Sequence, residues 1–242
     1  SDVCSSDLCG GDGTLNRFLN DTEDIRPDCD IYYYPSGSGN DFARDIGAER
    51  GAPPVLINRY IERLPKICVN GKEHRFINGI GYGIDGYCCE KGDELRGKGN
   101  GEVNYTAIAI KGLLFHYKPT GATITVDGVE HRFEKVWLAP TMIGRYYGGG
   151  MMPTPEQDRL NGDGAVSVMV YYGSGKLKSL SVFPSIFKGE HIKHSEMVAV
   201  LSGRNITVCF DEPRPLQIDG ETVPGVREYS VTACEEKVLQ PA

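Results

Sequence analysis

Gly10-Gly11-Asp12-Gly13-Thr14 runs straight into Leu15-Asn16-Arg17-Phe18-Leu19, so a glycine-rich turn meets the apolar spacing of a short helix at once. Glycines let a backbone come close to a phosphate, and the first turn of a helix offers unpaired N–H groups to an anion. Alone this is weak evidence. No Gly-Lys-Ser/Thr follows, so the turn is not a Walker A loop. A second stretch repeats the device: Pro35-Ser36-Gly37-Ser38-Gly39 leads into Asn40-Asp41-Phe42-Ala43-Arg44. Its bland reading is a helix start with Asn40 as cap and Asp41 in the first turn. Its spacing does not fit a G-x-S-x-G nucleophile elbow. Two such loops, each opening a helix with an aspartate, suit a nucleotide phosphate and its metal better than two unrelated caps.

The chain around them alternates as an α/β unit does. An apolar run, Ile31–Tyr34, separates the two loops, and an amphipathic stretch over Val55–Leu64 closes the unit. Residues 1–9 show neither strand alternation nor a helical period. From Pro65 the pattern changes to hairpins. Asn70-Gly71, Asp127-Gly128 and Asp219-Gly220 each lie between β-prone runs, the strongest short-range hairpin signal. Ala165–Tyr172 and Ile206–Phe210 read as strands, and Val103–Tyr117 as a helix interrupting them. The expected architecture is a small α/β domain over 1–64 and a larger antiparallel β-sandwich-like domain over 65–242, with a cleft between them. The extreme C-terminus is allowed to return to the first domain.

The chain has 242 residues and a formal net charge of −7, with a hydrophobic content of 40%. That composition is globular and too acidic for a general nucleic-acid binder. No apolar run approaches the ~18 residues of a membrane span, and no signal peptide is visible. The eight cysteines form no C-x-x-C pair, which reads as reduced cytosolic thiols and gives a zinc site no support.

Further motifs follow in order. These are Phe76-Ile77-Asn78 with Gly83-Ile84-Asp85, then Gly148-Gly149-Gly150 with Pro153, Pro155 and Asp163-Gly164, and last Gln217-Ile218-Asp219-Gly220-Glu221. As an ordered set with the two glycine loops, they resemble the diacylglycerol kinase catalytic-domain family, which includes bacterial lipid kinases and sphingosine kinases. The resemblance covers nearly the whole chain. It implies an ATP- and Mg²⁺-dependent lipid kinase that moves the γ-phosphoryl of ATP onto a lipid hydroxyl such as that of diacylglycerol. Gly10, Gly11, Asp12, Gly13, Thr14, Leu15, Asn16, Ser38 and Asn40 would hold the nucleotide. Asp12, Asp41 and Asp85 would organise magnesium. Asp219 and Glu221 would divide proton acceptance and metal coordination, with their order left open. A structural magnesium would use the Asp163 carboxylate and the carbonyls of Leu160 and Ala165. The protein would be cytoplasmic and peripheral to the membrane, and a homodimer is compatible with this. Relatives carry roughly half an α/β domain before the first glycine loop, whereas nine residues precede Gly10 here. Two alternatives stay open: an NAD kinase-like phosphotransferase, and a truncated member that binds lipid or metal without turnover.

Other patterns carry less. Gly81-Tyr82-Gly83-Ile84-Asp85-Gly86 fits G-x-G-x-x-G, but it follows the second strand of an expected hairpin and not the first strand of a βαβ unit. Asp158–Gly164 lacks the acid spacing of an EF-hand. His191 and His194, with Glu196, read as surface or core residues before they read as a metal pair. Lys91, Arg96 and Lys98 form a basic loop that could meet anionic headgroups, with a solvated loop as the default.

Overall fold

A computed structural model describes residues 5–22, 29–97, 108 and 117–234. The first unit is a three-stranded sheet. β1 (Ser5–Gly10) runs parallel to β2 (Asp30–Pro35), and β3 (Val55–Leu56) pairs antiparallel with β2. Between β1 and β2 lies α1 (Asp12–Asp21), which buries Leu15 and Leu19, one turn apart, against Ile31 and Tyr33 of β2. Gly10 lies opposite Pro35 in the parallel register, so the loops after both strands emerge side by side at one sheet edge. That edge is where open α/β sheets take ligands.

Two expectations change here. Residues 5–10 form a strand although they lack alternation, because the parallel ladder to β2, and not a buried face, defines it. Val55–Leu64 is divided between β3 and a single turn, α3 (Asn58–Ile61). Asn58 explains the break: its side chain accepts a hydrogen bond from Ile31 N–H and donates one to Cys29 O, tying the turn to the start of β2.

The second unit is a ten-stranded, antiparallel, sandwich-like sheet. It comprises β4 (Lys66–Val69), β5 (Lys72–Arg75), β6 (Gly79–Tyr82), β7 (Thr120–Val126), β8 (Val129–Val136), β9 (Thr141–Met142), β10 (Val166–Tyr171), β11 (Val198–Gly203), β12 (Asn205–Ile218) and β13 (Glu221–Thr232). Each expected hairpin turn holds. Asn70, Asp127 and Asp219 and their following glycines all have positive φ, as the two-residue turn demands. β12 pairs with β13 along one edge and with two strands along the other, β7 over Ile206–Phe210 and β6 over Leu216–Ile218. Pro213 and Pro215 fall between, where they remove ladder donors, and the register with β13 shifts there.

α4 (Ile84–Gly97) directly follows β6, so the G-x-G-x-x-G stretch spans a strand-to-helix junction after all. β6 is antiparallel to both its neighbours, and no βαβ unit results. The expected basic loop is thus partly helix, with Lys91 paired to Glu94 at 2.8 Å; Lys98 and the Arg96 side chain lie outside the described residues. The helix expected over Val103–Tyr117 also lies outside them, save that Ile108 is helical and Tyr117 is not; residues 235–242 are likewise outside. A second helical segment, α5 (Lys176–Val182), continues into 3₁₀ turns over Phe183–Lys188 and Glu190–Lys193.

Candidate functional site

The two glycine loops touch backbone to backbone. Ser36 N–H donates to Gly10 O at 2.9 Å, and a Cβ on Gly37 would lie 2.4 Å from the Gly11 Cα, so only glycine permits this approach. Gly13 faces open space, Thr14 and Ser38 are exposed, and α1 begins without a side-chain cap. Leu15 differs from the other loop residues: its side chain is wholly buried in the core.

α2 (Asp41–Asp45) is capped from outside its own loop. Asn40 adopts a left-handed backbone (φ 52°), and its side chain donates to Gly37 O at 2.7 Å without capping the helix. The cap is Asp12, whose carboxylate accepts from Asp41 N–H at 3.0 Å and Phe42 N–H at 2.9 Å. Asp12 also accepts from Asn78 Nδ2 at 2.9 Å. Asp41 accepts from Gly149 N–H at 2.7 Å, a bond that the positive φ of the glycine run positions. Burial pushes Asp41 up to about 6, with the Gly149 N–H working against the rise and Asp12 adding to it. Asn40 Oδ1 and Asp41 Oδ1 are buried acceptors without a donor among the described residues. Two orphaned oxygens near an aspartate pair suit a cation or its bound water.

The Asp-Gly turn between β12 and β13 separates its two acids. Asp219 accepts from Asn16 Nδ2 at 2.6 Å, Ile77 N–H at 2.6 Å, Asn78 N–H at 2.9 Å and Gly79 N–H at 3.0 Å. Burial pushes it up to about 6, and those donors oppose the rise. Glu221 is exposed, and among the described residues its side chain makes no hydrogen bond or ion pair. Asp85, in the first turn of α4, accepts from Gln217 Nε2 at 3.0 Å; burial raises it to about 6. The Gln217 Oε1 in turn accepts from Gly220 N–H at 2.6 Å, which links Asp85 to the turn. Asp12, Asp41 and Asp85 are not gathered into one cluster: among the described residues no group of three His, Cys, Asp or Glu side chains could hold a metal ion.

A buried ion network backs the junction. Asp45 takes Arg159 at 2.6 Å and Arg145 at 2.8 Å, and the Asp45 and Arg159 side chains are 3% and 4% exposed. Arg159 also donates to Ile77 O at 2.8 Å and to Asn78 Oδ1 at 3.3 Å, and stacks over Phe42. It thereby fixes the segment whose N–H groups hold Asp219. Asn78 and Gln217 stand inside recognisable motifs without a local sign of these hydrogen bonds, and nothing local marks Arg159 inside a loop rich in acids.

In the Asp158–Ala165 loop, Asp163 is exposed and its Oδ1 accepts from Ala165 N–H at 3.3 Å. The Ala165 carbonyl already takes Gln157 Nε2 at 2.9 Å and Asn161 Nδ2 at 2.8 Å. Asn161 Oδ1 is a buried oxygen without a donor among the described residues. Leu160, Asp163 and Ala165 thus share one loop, and the Ala165 carbonyl expected to face a metal is taken by two side-chain amides. His191 is fully buried and bonds Pro153 O through Nε2 at 2.9 Å, which makes it a core residue; His194 faces Glu196 at 3.7 Å.

Comparison with known proteins agrees with this layout. Residues 78–235 match the YegS C-terminal NAD kinase beta sandwich-like domain, and residues 8–67 match the diacylglycerol kinase catalytic domain. A Mycobacterium tuberculosis protein named diacylglycerol kinase is 27% identical over 97% of this chain and 76% of its own length. A Bacillus subtilis diacylglycerol kinase is 28% identical over 88% of this chain and 69% of its own. A crystal structure of a diacylglycerol kinase from Bacillus anthracis superposes with a TM-score of 0.58 at 18% identity, covering 96% of this chain and 73% of that one.

Proposed function

The chain belongs to the diacylglycerol kinase catalytic-domain family with a YegS-type β-sandwich, and from that premise we propose that it is a lipid kinase phosphorylating a lipid hydroxyl such as that of diacylglycerol. One observation carries the reading. Asn16 of the first glycine loop's helix holds Asp219, while Asn78 of the β-rich unit holds Asp12, so three sequence-remote motifs share one hydrogen-bonded junction. We divide the chain at 64/65, with nucleotide handled by the first part and lipid by the second.

ATP would supply the phosphoryl group and Mg²⁺ would offset its charge. The residues that fit them are Gly10–Asn16, Ser38 and Asn40 for the phosphates, and Asp12 and Asp41 for the cation, on the strength of the two orphaned oxygens. Phosphoryl transfer asks mainly for positioning and charge neutralisation. Asp219 is occupied by four donors and serves as a positioning residue. Glu221, uncommitted at the mouth of the same turn, is the group left to accept the hydroxyl proton. Asp85, reached from the turn through Gln217, orients the turn. The protein would work at a cytoplasmic membrane surface. Among the described residues no helix is long and apolar enough to cross a membrane.

Labelled ATP offered with diacylglycerol, sphingosine or NAD tests the assignment. Label should enter the lipid. Glu221→Gln should lower kcat about 100-fold while leaving the melting temperature unchanged, since the side chain supports nothing else. Label entering NAD alone would favour the NAD kinase-like reading, and no transfer to any acceptor would favour the non-catalytic one.

A further inference from the structure

Asn20 lies one turn beyond Asn16 on the same face of α1, and the chemistry proposed above gives it no part. Asparagine is a poor helix former, because its amide competes with the backbone for hydrogen bonds. Two of them inside a helix of 10 residues therefore weaken α1 taken by itself. What they provide is contact with the other unit. Asn20 Oδ1 accepts from Arg75 N–H at 2.9 Å, and Asn20 Nδ2 donates to Arg75 O at 3.1 Å. One side-chain amide thus meets both backbone groups of one residue, as a neighbouring strand would. Arg75 ends β5 and opens the run 75–79, in which the N–H groups of Ile77, Asn78 and Gly79 hold Asp219.

The same amide also faces Asn16. Asn20 Nδ2 donates to Asn16 O at 3.0 Å and to Asn16 Oδ1 at 3.3 Å. Backbone groups leave Asn20 a single orientation, since its oxygen must meet an N–H and its nitrogen must meet carbonyls. With the Asn20 donor on its Oδ1, Asn16 turns its own Nδ2 the other way. There it donates to Asp219 Oδ2 at 2.6 Å and to Arg75 O at 3.4 Å. Flipped, Asn16 would set an oxygen against the Asp219 carboxylate and an N–H against the Asn20 donor.

We propose that Asn20 is a positioning residue for the candidate site, locking the Asn16 amide toward Asp219 from the far side of the contact. Through Asn16 and Arg75 a single amide aligns the donors that Asp219 takes from both units, and with them the turn that carries Glu221. Among the described residues Asn20 makes no hydrogen bond to either glycine loop, so its loss leaves the phosphate-facing backbone as it is. The effect on turnover rests on the lipid-kinase reading above; the alignment itself does not.

Asn20→Ala and Asn20→Asp, each alone and combined with Asn16→Ala, test the lock in the full chain. Asn20→Ala should lower kcat for ATP-dependent phosphorylation of diacylglycerol about tenfold, with KM for ATP within about twofold of wild type. Asn20→Asp should lose at least as much. It keeps the acceptor for Arg75 N–H, so a residue that merely pinned α1 to β5 would tolerate it, but it sets a carboxylate against Asn16 Oδ1. In the Asn16→Ala background, Asn20→Ala should change kcat by no more than about twofold, because the group it positions is gone. Hydrogen exchange at the Asn16 side-chain amide, followed by NMR, reads the same lock without turnover. It should be slow in the wild type and about tenfold faster in Asn20→Asp. Asn20→Ser replaces either variant that fails to fold and should show the same losses. Wild-type kcat or slow exchange in Asn20→Asp overturns the proposal, as does an equal loss from Asn20→Ala with and without the Asn16 amide, or fast exchange in the wild type. If the wild type phosphorylates no acceptor, the kinase reading fails and the exchange rates alone decide the lock: faster exchange in Asn20→Asp upholds it, and unchanged exchange overturns it.

Discussion

The junction between the two units and the Asp158–Ala165 loop are both rich in acids, yet they use them in opposite ways. At the junction, Asp12, Asp41, Asp45 and Asp219 are each bound to groups from elsewhere in the chain, mostly backbone N–H groups and arginines. In the loop, Asp158 and Asp163 are exposed and turn back on their own neighbours, Leu160 N–H and Ala165 N–H. A buried carboxylate survives only if donors replace its water, so the junction acids have become ties between units. The loop acids can be lost without leaving anything stranded.

The comparison breaks most visibly at Asp219. Asp219→Ala strands the Asn16 amide and the N–H groups of Ile77, Asn78 and Gly79, and should cost about 4 kcal/mol in urea unfolding. Read as a plain turn residue, Asp219 should tolerate Asn almost freely. With four donors facing it, Asp219→Asn turns an amide N–H toward other N–H groups and should cost about 2 kcal/mol. A loss near zero for both would mean that the tie does not hold the units.

Arg159→Met comes next. It removes one of two arginines from the buried Asp45 and should cost about 3 kcal/mol. Arg132→Met is the matched control: its pairs with Asp211 and Glu134 are well formed but exposed, and their loss should barely register in the same unfolding curve. Equal losses would erase the distinction between buried and exposed ion pairs here.

His191 lies outside both regions, buried and bonded to Pro153 O through Nε2. Burial lowers its pKa below the ordinary 6.5, and His194 adds to the effect. The folded state therefore keeps the ring neutral where the unfolded chain would protonate it. The stability this represents is present above pH 6.5 and is lost as pH falls through the lower folded value. Between about pH 7 and pH 5 the wild type should lose a few degrees of melting temperature relative to His191→Gln. A constant gap would show that the ring titrates alike in both states.

The smallest effect belongs to the loop. Asp163→Ala should change stability within about 0.5 kcal/mol in the presence of a chelator. Added Mg²⁺ should raise the melting temperature of the wild type and not of the variant, because a metal held only by the folded form stabilises it by mass action. Equal responses would remove Asp163 from any metal site.

Legibility in the sequence followed the range of each interaction. The glycine loops and the three Asn-Gly or Asp-Gly hairpins were readable because their backbone demands are met within a few residues: positive φ at Asn70, Asp127 and Asp219 and at the glycines beside them. α4 escaped because Gly86, Gly92 and Gly97 interrupt its apolar spacing, and it is held by packing on β12 and β6. β1 escaped because a parallel strand is defined by its neighbour's ladder, and none of its six residues is buried.

By itself the sequence determined the composition class, the turns, the order of motifs and the family they resemble, since these rest on local conformational preference and on residue order. Only the tertiary structure decided what the acids do. Ile77 and Asp219 are 142 residues apart, and Asn16 and Asp219 are 203 apart. No local preference records that a carboxylate on one turn meets N–H groups on another strand and an amide on the first helix. The packing of the two units brings them together, and it leaves Glu221, two residues on, in solvent.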